Sequence, residues 1–472
     1  MNAIRKGIAC LSGVFLLEGC AVQRYQPAPI VANATASGFE SRNLADPGLQ
    51  SFEEQTLGHP VSPWPRKTRD LQTLSLAALY FHPALDSARA RVAGTKAAID
   101  SAGARPNPSL SVAPGIPSPY LLTLDFAIPI ETAGKRSHRV QVARSLDQAA
   151  GFDLADSAWT IQSGVRTSLL NHLFASRSLE LFRSEEQVRR EQVNILDQIF
   201  SAGEIPRQSV DLARMELSKT HLAIVTAEGQ VRETEAALAS AVGLPVAALQ
   251  SVEFSWPNID TPPSAESLSP GEIQRGAVLN RLDLRRSLAQ YAAAEAALQL
   301  EIAKQYPDIN IGPGYTYEEK HSFFTVGFST TVPLFNRNQG PIAEAEARRK
   351  EAGATFLEKQ AQIIARSERA LVVYTAALEE LAGAESLRKL QEIQLQIMQQ
   401  TIRVGADNRL SLANVEIQSW VLARAQLDAL ARAQRALGEL EDAVQRPLYP
   451  GEIFTINPGS PALIGPLKDL KR

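Results

Sequence analysis

Between Pro341 and Pro447 the chain has no proline, and only Gly353, Gly383, Gly405 and Gly438 weaken an otherwise helix-forming stretch. Proline costs a helix interior about 3 kcal/mol, so this distance without one marks helical sequence. One break is signalled inside it. Arg403-Val404-Gly405-Ala406-Asp407-Asn408-Arg409-Leu410-Ser411 offers a glycine to stop one helix and short polar side chains to cap the next. The arm from Ile342 to Val404 would run about 90 Å at about 1.5 Å per residue, far beyond a globular helix.

Along that arm apolar residues recur every seventh position, at Leu357, Ile364, Leu371 and Leu378, then at Leu390, Ile397 and Val404; the returning arm has Leu430, Leu437 and Val444. Seven-residue spacing marks helices that supercoil against neighbours. The expectation is an antiparallel coiled-coil hairpin with its tip between Val404 and Ser411. A second hairpin is expected between Pro129 and Pro245, turning at Ser201-Ala202-Gly203-Glu204-Ile205-Pro206.

The chain also repeats itself. Pro108-Ser109-Leu110-Ser111-Val112-Ala113-Pro114-Gly115 returns as Pro307-Asp308-Ile309-Asn310-Ile311-Gly312-Pro313-Gly314, with both prolines and the last glycine displaced by 199 positions. Ile128-Pro129-Ile130 answers Val332-Pro333-Leu334, Gly134 answers Gly340, and Gly203 answers Gly405. Each half reads as a helix, two strands and a long hairpin. The first half spans 71–243, with strands over about 108–129 and a hairpin over about 134–243; the second spans 271–446, with strands over about 307–333 and a hairpin over about 340–446. Proline-rich segments 244–270 and 447–472 follow the two halves. A helix is predicted from Leu74 to Ala104, broken near His82-Pro83.

The strands alternate strictly. Leu122, Leu124, Phe126 and Ile128 take turns with Thr123, Asp125 and Ala127; Phe324, Val326, Phe328 and Val332 take turns with Thr325, Gly327, Ser329 and Thr331. Leu110 and Val112 lie opposite Ser109 and Ser111, and Ile309, Ile311, Tyr315 and Tyr317 opposite Asn310, Gly312 and Thr316. A soluble sandwich would alternate in the same way. An export signal and segments close to the roughly 9–11 residues that cross a bilayer favour a membrane barrel. Pro114 and Pro313 are expected near the external turns, because proline interrupts a central strand. Four strands are half of the about eight that the smallest bacterial barrels use, and an open edge in lipid leaves backbone groups unpaired. The barrel is therefore expected to be shared, twelve-stranded, among three copies. The fold class is mainly α with a β-barrel.

Residues 1–20 read as an export signal: Arg5 and Lys6 precede an apolar run, Gly7 to Leu17, too short to span a bilayer. It ends in Leu17-Glu18-Gly19-Cys20, which resembles a bacterial lipobox with Glu18 in place of the usual small residue. Cys20 is then a lipid-bearing N-terminus or, in the alternative, a buried thiol. The only other cysteine, Cys10, lies inside the signal, so no disulfide is expected after it. Residues 21–70, rich in proline, glycine and polar side chains, read as an extended arm.

Composition removes several functions. A net charge of −3 with 21% charged residues describes no polybasic nucleic-acid binder. Ala133-Gly134-Lys135-Arg136-Ser137 resembles the end of a phosphate loop, but Pro129 stands where that motif needs its first glycine, and a basic helix start explains it better. His59, His82, His138, His172, His221 and His321 show no metal-ligand spacing, and no cofactor is expected. No catalytic constellation is present.

Two copies of helix, strand pair and long hairpin behind an export signal resemble the TolC-type outer-membrane efflux proteins over nearly all of the chain. Val404-Gly405-Ala406 is similar to that family's hairpin-tip motif, and Ser201-Ala202-Gly203 is its counterpart in the first half. Cys20-Ala21-Val22-Gln23-Arg24-Tyr25 and Ala78-Leu79-Tyr80-Phe81-His82-Pro83 resemble the branch serving heavy-metal RND pumps. The resemblance implies a homotrimer in the outer membrane of a Gram-negative bacterium, continued by a helical tunnel across the periplasm. It also implies a periplasmic adaptor docked on the tips, an inner-membrane RND pump as energy source, and a belt formed by 244–270 and 447–472. Converging tips would set three Asp407 carboxylates around a narrow axis as a gate; the alternative for Asp407 is an aspartate favoured by a helix dipole. The competing reading of the whole is a lipid-anchored periplasmic coiled-coil scaffold, for which the amphipathic strands have no use.

Overall fold

A computed structural model describes residues 24–115, 121–250, 252–403 and 408–448. Residues 24–41 belong to a unit of their own, in which helix α1 (Ala32–Glu40) buries no side chain. From Arg42 the described chain is one compact unit. It begins with α2 (Pro47–Leu57), the short strand β1 (Thr68–Arg69), α3 (Leu71–Phe81) and α4 (Pro83–Gly103). Strands β2 (Ser109–Gly115) and β3 (Leu121–Ile130) lead into a hairpin of α5 (Lys135–Ser201) and α6 (Arg207–Val242). After β4 (Glu253–Phe254) and α7 (Pro270–Asn280) the order resumes: α8 (Leu282–Ala303), β5 (Ile309–Glu318), β6 (His321–Thr330), α9 (Gln339–Arg403) and α10 (Arg409–Val444).

The long arms are 67 and 65 residues, about 100 Å each, and their returning arms are 36 residues each. Inside α9, between the buried Ala345 and Gln391, a run of buried positions at Ile363, Ser367, Ala370, Tyr374, Ala377 and Leu381 alternates steps of four and three. That is a coiled-coil seam. It does not run along the residues that the apolar spacing singles out. Ile364, Leu371 and Leu378 flank it half-buried, and Leu357, Leu390 and Ile397 are exposed in the single chain. Small side chains at Ser367, Ala370 and Ala377, with Ala429, Ala433, Ala436 and Ala443 on α10, let the helices close up around the larger Ile363, Tyr374 and Leu381, while Leu357, Leu390 and Ile397 are turned outward. Leu430, Leu437 and Val444 on the returning arm are buried as expected.

Residues 42–70 are not the extended arm that their composition suggests. Asp46 caps α2 by accepting from the Gly48 amide at 2.7 Å, and Pro47 occupies the first turn, where a missing N–H does no harm. Leu44, Leu49 and Val61 are buried, and the fully buried Arg69 pairs with Glu53 at 2.6 Å under the face of Trp64. Arg42 donates to the carbonyls of Phe81 and Gly243, fastening this strap where α3 ends. The chain breaks at His82, as predicted. Segment 244–270 also lies against the helices: Gln434 donates to the Ile259 carbonyl at 2.5 Å and Trp256 is buried.

Strands β2, β3, β5 and β6 form one antiparallel sheet in the order β2-β3-β5-β6. Pro313 is the exception to expectation. It sits in mid-strand, paired with Val326 on β6, instead of near a turn. The β3–β5 ladder skips Phe126 and Ala127 opposite Gly312 and Pro313 and resumes in the same register. Proline has no N–H for that ladder, and a Cβ on Gly312 would stand 1.4 Å from the Phe126 carbonyl oxygen.

Candidate functional site

The register puts like with like. Leu110 and Val112, Leu122 to Ile130 at every second residue, Ile311 and Tyr315, and Phe324, Val326 and Phe328 share one face. Ser111, Thr123, Asp125, Asn310, Thr316, Thr325 and Ser329 share the other. Among the described residues nothing covers the apolar face on β6: Phe324, Val326 and Phe328 are each more than 80% exposed. Among the described residues β2 and β6 pair on one side only. At the far end β5 turns into β6 through Glu319 and Lys320, both at positive φ, in a two-residue hairpin.

At the near end, polar contacts weld strands to helices. Lys135, in the first turn of α5, donates to Asp308 at 2.6 Å, and the Thr132 amide donates to the same oxygen at 3.1 Å. Burial pushes the Asp308 carboxyl up, but the Lys135 and Thr132 hydrogen bonds, with the charges of Lys135 and Arg139, outweigh it and hold it below the ordinary carboxylate value. Arg139 pairs with Glu131, and Arg136 and Arg139 donate to the carbonyls of Gly103, Ala102 and Ala104 at the end of α4.

The tips lie at the other end of the hairpins. Ser201 ends α5, and Ala202 and Gly203 follow it, all three exposed, with Gly203 at φ 79°. Val404, Gly405, Ala406 and Asp407 lie outside the described residues, as does Cys20. Their flanks are described: α9 ends at Arg403, and Asn408 caps α10 by accepting from the Ser411 amide at 2.9 Å. The two tips are joined. Leu410 packs with Val193, Leu196, Val210 and Ala213, Gln192 donates to Asn414 at 2.7 Å, and Arg409 pairs with Glu191 at 3.3 Å. Burial, followed by the Glu191 charge, pushes the nearby Glu416 carboxyl up.

Sequence reasoning missed the polar clamp between the hairpins. The buried Arg166 pairs with Glu441 and with Asp442 and donates to the Gly438 carbonyl at 2.7 Å, while Trp159 and Ser163 donate to Asp442. Farther along, the buried Glu185 takes both Arg189 and Arg424. Only the charge of Arg166 and Glu185 at otherwise buried helix positions could have marked them. Among the described residues no three His, Cys, Asp or Glu side chains gather to hold a metal, and no helix is long and apolar enough to cross a membrane.

An amphipathic sheet carried on two helical hairpins is the plan of an outer-membrane efflux channel. The chain belongs to the outer membrane efflux protein family, whose sequence model matches residues 74–244 and 275–444. It is similar to the cobalt-zinc-cadmium resistance protein CzcC of Cupriavidus metallidurans, 24% identical over 71% of this chain and 76% of that one. The pyoverdine export outer membrane protein OpmQ of Pseudomonas aeruginosa is 22% identical over 67% and 69% of the two chains. Its fold resembles the outer-membrane channel OprN, with a TM-score of 0.65, 18% identity and coverage of 90% and 98%. It also resembles VceC of Vibrio cholerae, with a TM-score of 0.64, 21% identity and coverage of 79% and 95%.

Proposed function

We propose that three copies of this chain form the exit duct of a tripartite efflux system, continuous through the outer membrane and into the periplasm. The observation that carries this is the sheet, which among the described residues has two unpaired edges and an uncovered apolar face. In hydrocarbon such an edge is untenable, and four strands are half of the about eight in the smallest bacterial barrels. Three sheets joined edge to edge make twelve strands, with the apolar face to lipid and the Asp125 face to the lumen.

A periplasmic adaptor docks on the tips, at Ser201, Ala202 and Gly203 and at Val404, Gly405 and Ala406. Three Asp407 carboxylates form the gate at the closed end. Cys20 anchors the processed N-terminus in lipid. The chain conducts passively and performs no catalysis; an inner-membrane pump of the RND type supplies the energy. On the likeness to the cobalt-zinc-cadmium protein, heavy-metal cations are the proposed cargo. A lumen face of hydroxyls, the Asn310 amide and the carboxylates of Asp125 and Glu318 suits the weak contacts that conduction requires.

Assembly is the test. The full chain purified in mild detergent should run as a heat-resistant trimer with its strands intact. A monodisperse monomer with full strand content would overturn the shared barrel.

A further inference from the structure

The antiparallel register gathers one end of every strand. Ser109, Ile130, Ile309 and Thr330 all lie where the sheet meets the helices, since Ile130 pairs with Ile309, Ile309 with Thr330, and Ser109 with Ala127. The linkers at that end carry large exposed apolar groups: Tyr306, Val332, Leu334 and Phe335, the last 99% exposed. They also carry Arg105, Lys304 and Arg337, and the first turns of α5 add Lys135, Arg136 and Arg139.

The acids at this level are already taken. Glu131 is paired with Arg139, Asp308 with Lys135, and Glu301 with Lys304. Three exposed arginines are left over, one at each of three strand–helix junctions: Arg105 between α4 and β2, Arg136 after β3, and Arg337 between β6 and α9. Among the described residues none of the three forms an ion pair. Arg136 is held in place because its Nε donates to the Gly103 carbonyl at 2.6 Å, two residues from Arg105. Arg337 is placed by its neighbour Asn338, which donates to the Glu301 carbonyl at 2.7 Å. Asp100, an exposed acid without an ion pair among the described residues, lies a turn farther up α4. The opposite end of the sheet has the other sign, with Glu318 and Glu319 against Lys320 in the β5–β6 turn.

We propose that Arg105, Arg136 and Arg337 form a collar that binds the headgroups of anionic phospholipids in the leaflet facing the helices. The inference rests on reading the sheet as a membrane wall. Guanidinium groups pair with phosphate oxygens in a forked geometry, and aromatic and aliphatic side chains beside them sit at the level where headgroups meet acyl chains. A basic residue at an anionic membrane surface contributes about fivefold in affinity, which is about 1 kcal/mol. Three such arginines per chain therefore give a preference of one to two orders of magnitude for a lipid with net negative charge over a zwitterionic one. The same contacts would fix the height of the barrel in the bilayer.

Native mass spectrometry of the full-length protein in detergent, titrated with phosphatidylglycerol or phosphatidylcholine, reads this directly. Phosphatidylglycerol should bind at least about tenfold more tightly. The triple variant Arg105→Gln/Arg136→Gln/Arg337→Gln should lose that preference, and the triple Lys variant should keep most of it. Should the triple Gln variant fail to fold, Arg337→Gln alone, whose side chain makes no hydrogen bond among the described residues, should lose about fivefold. Equal binding of both lipids by the wild type, an unchanged preference in the Gln variants, or full displacement of the lipid by millimolar inorganic phosphate at matched ionic strength would overturn the collar. Flotation with vesicles of phosphatidylcholine alone keeps the two readings apart. Wild type that floats with these vesicles but shows no headgroup preference in the titration retains the barrel and loses the collar, whereas wild type that does not float loses both.

Discussion

Lys135 Nζ lies 2.6 Å from Asp308 Oδ1, and this contact fastens the first turn of α5 to the residue just before β5. Asp308→Asn leaves the nearly buried ammonium of Lys135 without its counter-charge. It should lower stability by about 1–3 kcal/mol, read as a lower dissociation temperature of the assembled protein.

The same pair sets an acid limit. Asp308 titrates below its ordinary value in the folded state, so its contribution is fully present above the unfolded value, near 4, and is lost as pH falls through the depressed folded value. Thermal melts between about pH 6 and pH 3 should show this loss in the wild type and a smaller one in Asp308→Asn. Equal acid sensitivity in both would assign the effect to other carboxylates.

Arg166 should be the most damaging single truncation among the helices. Arg166→Ala takes the guanidinium away from the buried Glu441 carboxylate and unties α5 from α10, which should lower stability by about 3–5 kcal/mol. Gly438→Ala is a milder probe of the same spot, because the new Cβ would stand 3.2 Å from Arg166 Nη2 and push the guanidinium aside. Chemical denaturation of both variants should rank them in that order.

In the proposed duct, two variants separate docking at the tips from gating. Gly405→Trp should leave trimers in the outer membrane and abolish efflux, because the hairpins owe their stability to seams far from the tip and docking needs a small surface there. Asp407→Ala should raise single-channel conductance in planar bilayers by removing three facing carboxylates. Wild-type conductance over a range of salt concentrations would return Asp407 to a helix-end role.

Capture of metal is not expected even if metal is the cargo. Calorimetry with copper or zinc should show no stoichiometric binding tighter than about micromolar, which corresponds to about 8 kcal/mol. A tighter site would need a cluster of ligands that the scattered histidines do not supply.

Much of the architecture was legible because its signals are local. Absence of proline fixed the long arms, two-residue alternation fixed the strands, and Gly203 and Asn408 sit where a helix stop and a cap were read. Register within the helices was not legible. Leu390 and Ile397 keep the seven-residue spacing and face out, while the less apolar Ala370 and Ala377 lie in the seam. Hydrophobicity measures what a residue gains from burial and says nothing of how closely two helices approach. Pro313 misled for a related reason: a proline rule assumes both neighbouring ladders are intact, and here one is skipped. The Arg166 clamp joins residues 275 positions apart, and no local pattern encodes such a pairing.

The unequal arms of the two hairpins have a geometric consequence. Where α6 and α10 have ended, α4 and α8 lie beside the remaining lengths of α5 and α9: Thr95 donates to Asp147, and Arg349 pairs with Glu295. Four helices therefore stand abreast at either level. In a threefold assembly that is a palisade of twelve. With interaxial spacings of about 10 Å its girth stays near 120 Å. Calibre is then governed by the number of staves and not by their length, so whole heptads could be added to or removed from a hairpin, altering how far the duct reaches while the cross-section open to cargo stays the same.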